Sequence, residues 1–209
     1  MLGEDERSRA RRAFLRALMT FPAAVVIDSV QGASAQPKAR PTPACGEAGA
    51  STPPQTEGPY FKPSSPLRVS LVEPGVVGTR IAIEGSVMST ECRLISDALI
   101  DIWHADARGE YDNVGHRLRG HQFTDDAGRY RVETIVPGAY PGRTRHFHVK
   151  VQAPGRAVLT TQLYFPGEPG NQRDFIFNPE LVMRIRDGEH GKLGEFDFVL
   201  DLAASARRS

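Results

Sequence analysis

The residues best suited to chemistry lie in Arg143-Thr144-Arg145-His146-Phe147-His148-Val149-Lys150-Val151. In an extended chain, residues two apart share a face. His146 and His148 therefore point one way, while Phe147, Val149 and Val151 point to the other, apolar side. Two imidazoles on one strand face suit a shared metal ion. The same pair fits two solvated or hydrogen-bonded structural histidines equally well, so further ligands must decide. Three and four residues beyond His148, where a carboxylate would complete a common barrel-type metal site, the chain has Val151 and Gln152. No cysteine is near enough in sequence to suggest a thiolate zinc site. The chain does offer tyrosine. Tyr140 sits just upstream in Pro137-Gly138-Ala139-Tyr140-Pro141-Gly142-Arg143, and Tyr111 ends the run from Asp101 through Trp103, His104 and Asp106.

The elements that must position these side chains read as strands. Period-two runs recur at Ile81-Ile83-Gly85, Leu99–Trp103, 130–134, 146–152, 159–165 and Phe196-Phe198-Leu200. Turn signals separate them at Asp126-Ala127-Gly128, Pro137-Gly138, Pro154-Gly155 and Asp187-Gly188. No segment beyond the N-terminal region holds a 3.6-residue period over three turns. The fold class this predicts is all-β, a two-sheet β-sandwich with long loops and no N-terminal helical domain. Residues 57–209 form that domain, and the Pro-, Ala-, Thr- and Gly-rich residues 36–56 form an extended lead-in. Tyr130 reads as core. His104 and Asp106 border Trp103 without a motif of their own, and His116, His121 and His190 read as solvated.

Composition removes several classes. The 209 residues carry 26 Lys+Arg against 25 Asp+Glu, so no basic excess draws the chain to nucleic acid. No apolar run reaches the roughly 18 residues of a membrane span. Residues 1–35 read as an export signal: Arg11-Arg12-Ala13-Phe14-Leu15, the apolar run Ala17 to Ile27, then Ala33-Ser34-Ala35 as a cleavage site. The arginine pair resembles a twin-arginine signal, which places the mature protein in the periplasm or outside the cell. Removing the five arginines and four acidic residues of that leader leaves 21 basic and 21 acidic residues. The mature chain is thus neutral, with no stable membrane insertion expected. Cys45 and Cys92 would meet an oxidising compartment and could pair there.

Between about residues 52 and 202 the chain resembles the intradiol ring-cleavage dioxygenases, the protocatechuate 3,4-dioxygenase and catechol 1,2-dioxygenase type. The matching pieces come in order. They are Thr56-Glu57-Gly58-Pro59-Tyr60, Glu84-Gly85-Ser86-Val87, Asp101-Ile102-Trp103 leading to Gly109-x-Tyr111, Arg119-Gly120-x-Gln122-x-Thr124-Asp125, Thr134-Ile135-x-Pro137-Gly138-x-Tyr140-Pro141, Arg143-x-x-His146-x-His148, and Thr161-Gln162-Leu163-Tyr164-Phe165. The compact protocatechuate-like build is the nearer one. The run from Cys92 to Ala98 departs from the family's usual Cys-x-Pro turn, and Phe147 stands where Ile is frequent. Neither touches the chemistry.

The resemblance implies a ferric ion, Fe(3+), held by Tyr111, Tyr140, His146 and His148. Ferric iron is a hard cation that favours anionic oxygen and accepts imidazole. It would hold as phenolate a phenol that ordinarily titrates near pH 10. The implied reaction splits a catechol-type ring between its two hydroxylated carbons with O2, giving a cis,cis-muconate-type diacid. Tyr140 would leave the metal as substrate arrives and take up a proton. Arg143 would stabilise charge developing on the ring, and Gln162 would hydrogen-bond near the reacting oxygen. Tyr60 and Tyr164 would line the substrate pocket. Ring substituents and oligomeric state are not written in the sequence, although a sandwich with open edges can assemble as a homo-oligomer. Two other readings compete: a secreted, metal-free β-sandwich binding module, and a zinc or copper hydrolase built on His146 and His148. The first leaves the four ligand positions and Arg143 without a purpose, and the second leaves both tyrosines so.

Overall fold

Alternation of apolar and polar side chains builds the strands, and the face that alternation buries joins them into two layers. In the computed structural model, which describes residues 50–203, nine strands follow one another. They are β1 (Arg80–Ser89), β2 (Leu99–Trp103), β3 (Arg119–Phe123), β4 (Arg129–Ile135), β5 (His146–Gln152), β6 (Leu159–Tyr164), β7 (Arg184–Gly188), β8 (Gly191–Glu195) and β9 (Phe198–Leu200). The one helical element among the described residues is a 3-10 turn at Pro179–Leu181, capped by the Asn178 side chain. One sheet runs β4-β1-β8-β7 with β9 also on β1, and the other runs β3-β2-β5-β6. The all-β sandwich is therefore the observed architecture.

The core lies between the sheets. Ile81, Ile83 and Val87 from β1 meet Ile100 and Ile102 from β2 and Phe147, Val149 and Val151 from β5, all buried. Tyr130 is in the core as expected, and its hydroxyl donates to the Phe196 carbonyl at 2.8 Å.

Three strands lack an alternating apolar pattern and were not predicted. β3 buries Arg119, Gly120 and Gln122, so its buried positions are polar or bare on both faces. β7 and β8 form a hairpin in which Gly188 pairs with Gly191. The reversal is therefore at Glu189-His190, and Asp187-Gly188 belongs to the strand. The last alternating stretch is also shorter than expected, since Phe196-Asp197 steps out of the ladder before β9. There the Asp197 carboxylate accepts from Ser86 N at 2.7 Å, where a strand carbonyl would otherwise stand.

The lead-in is tied down before residue 57. Thr52 N donates to Val199 O at 2.9 Å and Gln55 N to Thr160 O at 2.8 Å. Further on, Arg68 N reaches His121 O and Leu71 N reaches Glu133 O, so the same segment closes the side of the sandwich. His121 is half-buried there against Ser65 at 3.1 Å and His116 is half-buried too, which corrects the expectation that both are solvated; His190 is exposed. Cys92 is disulfide-bonded. Cys45 and the whole expected leader, residues 1–35, fall outside the described residues.

Candidate metal centre

Strand register assembles the site. Across the four-stranded sheet, Arg119 pairs with Trp103, Trp103 with His148, and His148 with Gln162. These four form one row on the face opposite the core, because cross-strand partners share a face. His146 and Tyr164 pair in the next row. The expectation that His146 and His148 share a face away from the apolar side thus holds, and both are buried at 1–2% exposure.

Two loops bring in the tyrosines. Tyr140-Pro141-Gly142-Arg143 is a tight turn with Pro second, Gly142 third at φ 78°, and Arg143 N donating to Tyr140 O at 2.9 Å. Proline fixes the second position and glycine alone takes the third at no steric cost. The turn therefore sets Tyr140 and Arg143 side by side. The loop carrying Tyr111 is organised by Asp106, whose carboxylate accepts from Arg108 N and Glu110 N at 2.8 and 3.0 Å. The Asp106 carbonyl accepts from both Gly109 N and Gly138 N, binding the two tyrosine loops together. Their approach leaves no space for a side chain: a Cβ on Gly109 would stand 2.5 Å from Ala139 O, and one on Gly138 2.5 Å from Gly109 N.

Four rings then close a circuit. Centroid distances run 5.8 Å from Tyr111 to Tyr140, 5.6 Å to His146, 4.8 Å to His148, and 6.2 Å back to Tyr111. His146 Nδ1 lies 2.7 Å from the Thr144 carbonyl and so must carry the proton. Its Nε2 lone pair is then turned toward Tyr140 Oη at 3.3 Å and His148 Nε2 at 3.1 Å. A backbone carbonyl fixing the tautomer in this way is the usual support of a metal-bound imidazole. The Tyr111 hydroxyl is buried and makes no hydrogen bond of good geometry, although it faces the Tyr140 hydroxyl, and His148 Nδ1 is likewise buried without a partner. An orphaned buried hydroxyl costs about 1–3 kcal/mol, and a metal ion between these four donors would remove that cost.

Electrostatics agree with a cation site. Burial pushes the His146 pKa down to about 4, with the Arg143 charge adding to it. Burial and the His146 ring likewise push His148 well below the usual histidine value. Both rings are neutral at pH 7 and free to ligate. Burial pushes Tyr111 and Tyr140 up, so only a bound cation would make them phenolates near neutrality. Among the described residues no group of three or more His, Cys, Asp or Glu could hold a metal. A centre with more than the two histidines as protein ligands therefore draws here on the phenolic oxygens. The donor set fits ferric iron.

The other expected residues gather around this circuit. Arg143 Nη2 donates to Gln162 Oε1 at 2.5 Å, and the Tyr164 hydroxyl donates to the same oxygen at 2.9 Å. Gln162 Nε2 reaches back to Thr56 O at 3.0 Å. Tyr60 stacks on Tyr111 with centroids 4.2 Å apart.

Residues 56–202 match the protein family described as Dioxygenase. A chlorocatechol 1,2-dioxygenase of Pseudomonas putida is 30% identical over 189 residues, which span 74% of this chain and 70% of that protein. The chain belongs to the intradiol ring-cleavage dioxygenases. A hydroxyquinol 1,2-dioxygenase of Nocardioides simplex is 30% identical over 177 residues, 73% of this chain and 59% of that one. Among solved structures, the dioxygenase domain of a dioxygenase carbohydrate-binding protein fusion from the cellulolytic bacterium Streptomyces sp. SirexAA-E is 54% identical with a TM-score of 0.71. It covers 73% of this chain and 99% of that domain. The 3-chlorocatechol 1,2-dioxygenase of Rhodococcus opacus 1CP is 27% identical with a TM-score of 0.67, each chain covered to 73%. This protein is thus an oxidoreductase, and the metal-free binding module is not the favoured reading.

Three supports of this intradiol dioxygenase's site were not singled out from sequence. Trp103 stacks on His148 at 5.0 Å and 9°. Arg119 is buried, with its guanidinium carbon 6.0 Å from the Tyr111 ring centre and its N–H groups on Tyr60 O (2.6 Å) and Asp112 O (3.0 Å). Asp174 binds Arg143. Trp103 and Arg119 stand inside quoted family fragments, and the strand register could have pointed to them. Asp174 has no such signal. His104 and Asp106 serve structure: His104 is buried on Thr134 and the Ala105 carbonyl, both at 2.7 Å, and Asp106 shapes the Tyr111 loop.

Proposed function

We propose that this protein is a ferric-iron intradiol dioxygenase that opens a catechol-type aromatic ring with O2 between the two hydroxylated carbons, giving a cis,cis-muconate-type diacid. The observation that carries this reading is the convergence of the buried, unpartnered Tyr111 hydroxyl with Tyr140 Oη and the Nε2 atoms of His146 and His148. Tyr111, Tyr140, His146 and His148 would hold the iron. When bound, it would supply Lewis acidity that draws in both catechol oxygens and makes the ring reactive toward O2.

The protein's own groups do the rest. Tyr140 is half-buried at the end of its turn, and its Oη is the atom placed to take a hydroxyl proton from the arriving catechol. Arg143 cannot give up its proton and stabilises negative charge growing on the ring. Gln162 fixes the guanidinium from one side and Tyr164 fixes Gln162. Trp103 keeps the His148 ring plane and Tyr60 keeps that of Tyr111. The neutral balance of the mature chain and its catechol-acting relatives favour a small aromatic substrate over nucleic acid.

Oxygen uptake with catechol, protocatechuate, hydroxyquinol and chlorinated catechols, with product identification, tests the activity. Uptake with a ring-opened diacid from at least one of them is expected. No uptake from an iron-loaded protein would contradict the reading.

Export by the twin-arginine route completes the proposal, supported by the Arg11-Arg12 leader and by a disulfide-bonded Cys92, which suits an oxidising compartment. Replacing both arginines with lysine should hold the protein in the cytoplasm. Unchanged periplasmic recovery of that variant would contradict the export route.

A further inference from the structure

We propose that Asp174 is a positioning residue of the ring-cleavage reaction: it aims the Arg143 guanidinium so that Nη1 is offered to the substrate. The inference rests on the catechol reading of the site, and it assigns a task to a residue far in sequence from every ligand. Asp174 stands in the segment after β6, and its side chain is fully buried. A buried carboxylate persists only when paired and hydrogen-bonded. Here Oδ2 accepts from Arg143 Nε at 2.9 Å and from Thr144 N at 3.0 Å, while Oδ1 accepts from Ile176 N at 3.2 Å.

A guanidinium is a rigid plane with five N–H bonds in a fixed fork. Asp174 holds it at Nε and Gln162 at Nη2, and two such points fix both the plane and its rotation. Beyond those two bonds the guanidinium has only the Tyr164 hydroxyl beside it, and among the described residues Nη1 makes no hydrogen bond of good geometry, so its N–H groups are the donors left for a ligand. The holding segment is itself held. Asp174 N donates to Gly170 O at 3.0 Å, the Thr144 hydroxyl to Asn171 Oδ1 at 2.8 Å, and Asn171 Nδ2 to Phe165 O at 2.9 Å. The same carboxylate oxygen binds Thr144 N, and the Thr144 carbonyl orients His146. One side chain thus sets the substrate-facing cation in register with the ligand strand.

Asp174→Asn tests this, because it keeps size and shape and removes the charge that pins Nε. In the full-length iron-loaded protein kcat should fall about 100-fold, the scale of a misplaced substrate-facing group, while KM stays within about threefold. The visible absorption should not change, since Asp174 bonds to none of the four ligand side chains. In an Arg143→Gln background the same substitution should cost nothing further, because the two act as one unit. A readout independent of turnover is the Arg143 Nε–H resonance in arginine-labelled apoprotein, expected to be protected from exchange in the wild type and lost in Asp174→Asn. A kcat within about twofold of wild type, or a resonance still protected in Asp174→Asn, overturns the proposal. So does a loss that adds in full to that of Arg143→Gln. Absence of turnover in the wild type overturns the catechol reading and the catalytic part of this proposal with it. A normal wild-type rate with an unaltered Asp174→Asn rate overturns the positioning role alone.

Discussion

Tyr111 and Tyr140 are both half-buried, but the stacked Tyr60 ring, the Arg119 guanidinium and the His148 ring pack around Tyr111, whereas Tyr140 stands at the head of a tight turn. The two phenols therefore differ in freedom although both face the same centre. Tyr140→Phe should leave iron bound, shift the visible absorption and slow catechol binding; unchanged absorption and turnover would remove Tyr140 from the site. Tyr111→Phe should lower iron content of the purified protein, read by metal analysis, because the enclosed position has no substitute donor. At this scale the sequence was informative where residue type carries chemistry. Two histidines on one strand face were legible from spacing alone. Two tyrosines became candidate ligands only through the resemblance. Asp174 was illegible because its partnership with Arg143 spans 31 residues of chain and exists only once β5 and β6 are paired.

The elements matter through register and through the closeness of two loops. Gly109 has φ 88° and its missing side chain is what lets the Tyr111 loop lie on the Tyr140 loop. Gly109→Ala should cost more than about 1 kcal/mol and displace both tyrosines. The expected result is a Tm lowered by several degrees together with weakened iron binding; a variant with wild-type iron content would contradict the close-approach argument. Phe147→Ala removes a buried ring from the core side of the strand that carries both histidines. It should destabilise by about 3–5 kcal/mol in denaturant unfolding. β1, β2, β4, β5 and β6 were legible because one face of each is apolar. β3 was not, since its core-facing residues are Gly120 and Gln122, while Arg119 on the opposite face builds one end of the site. β7 and β8 were not because Arg, Asp, Lys and Gly dominate a hairpin whose outer strand, β7, is the sheet edge.

At the scale of the molecule, buried neutral histidines couple stability to pH. His104 and His146 have pKa values of about 4 in the folded chain against 6.5 when unconstrained, in both cases chiefly through burial. Between those values the unfolded chain binds protons that the folded chain refuses, so stability increases with pH across that window. The apoprotein should hold its full Tm above about pH 6.5 and lose it progressively toward pH 4. A flat Tm across that interval would contradict the buried, neutral state of these rings. Asp112 works lower, since loop amides hold its carboxyl down to about 2, so its effect is separable by pH. In the proposed reading, the sandwich presents one sheet face, flanked by two tyrosine loops, as the support for a metal. The most direct test of that claim is the visible spectrum and metal content of the purified protein. A red-brown protein with stoichiometric iron and a tyrosinate-to-iron absorption band is expected. A colourless protein carrying stoichiometric zinc would contradict it.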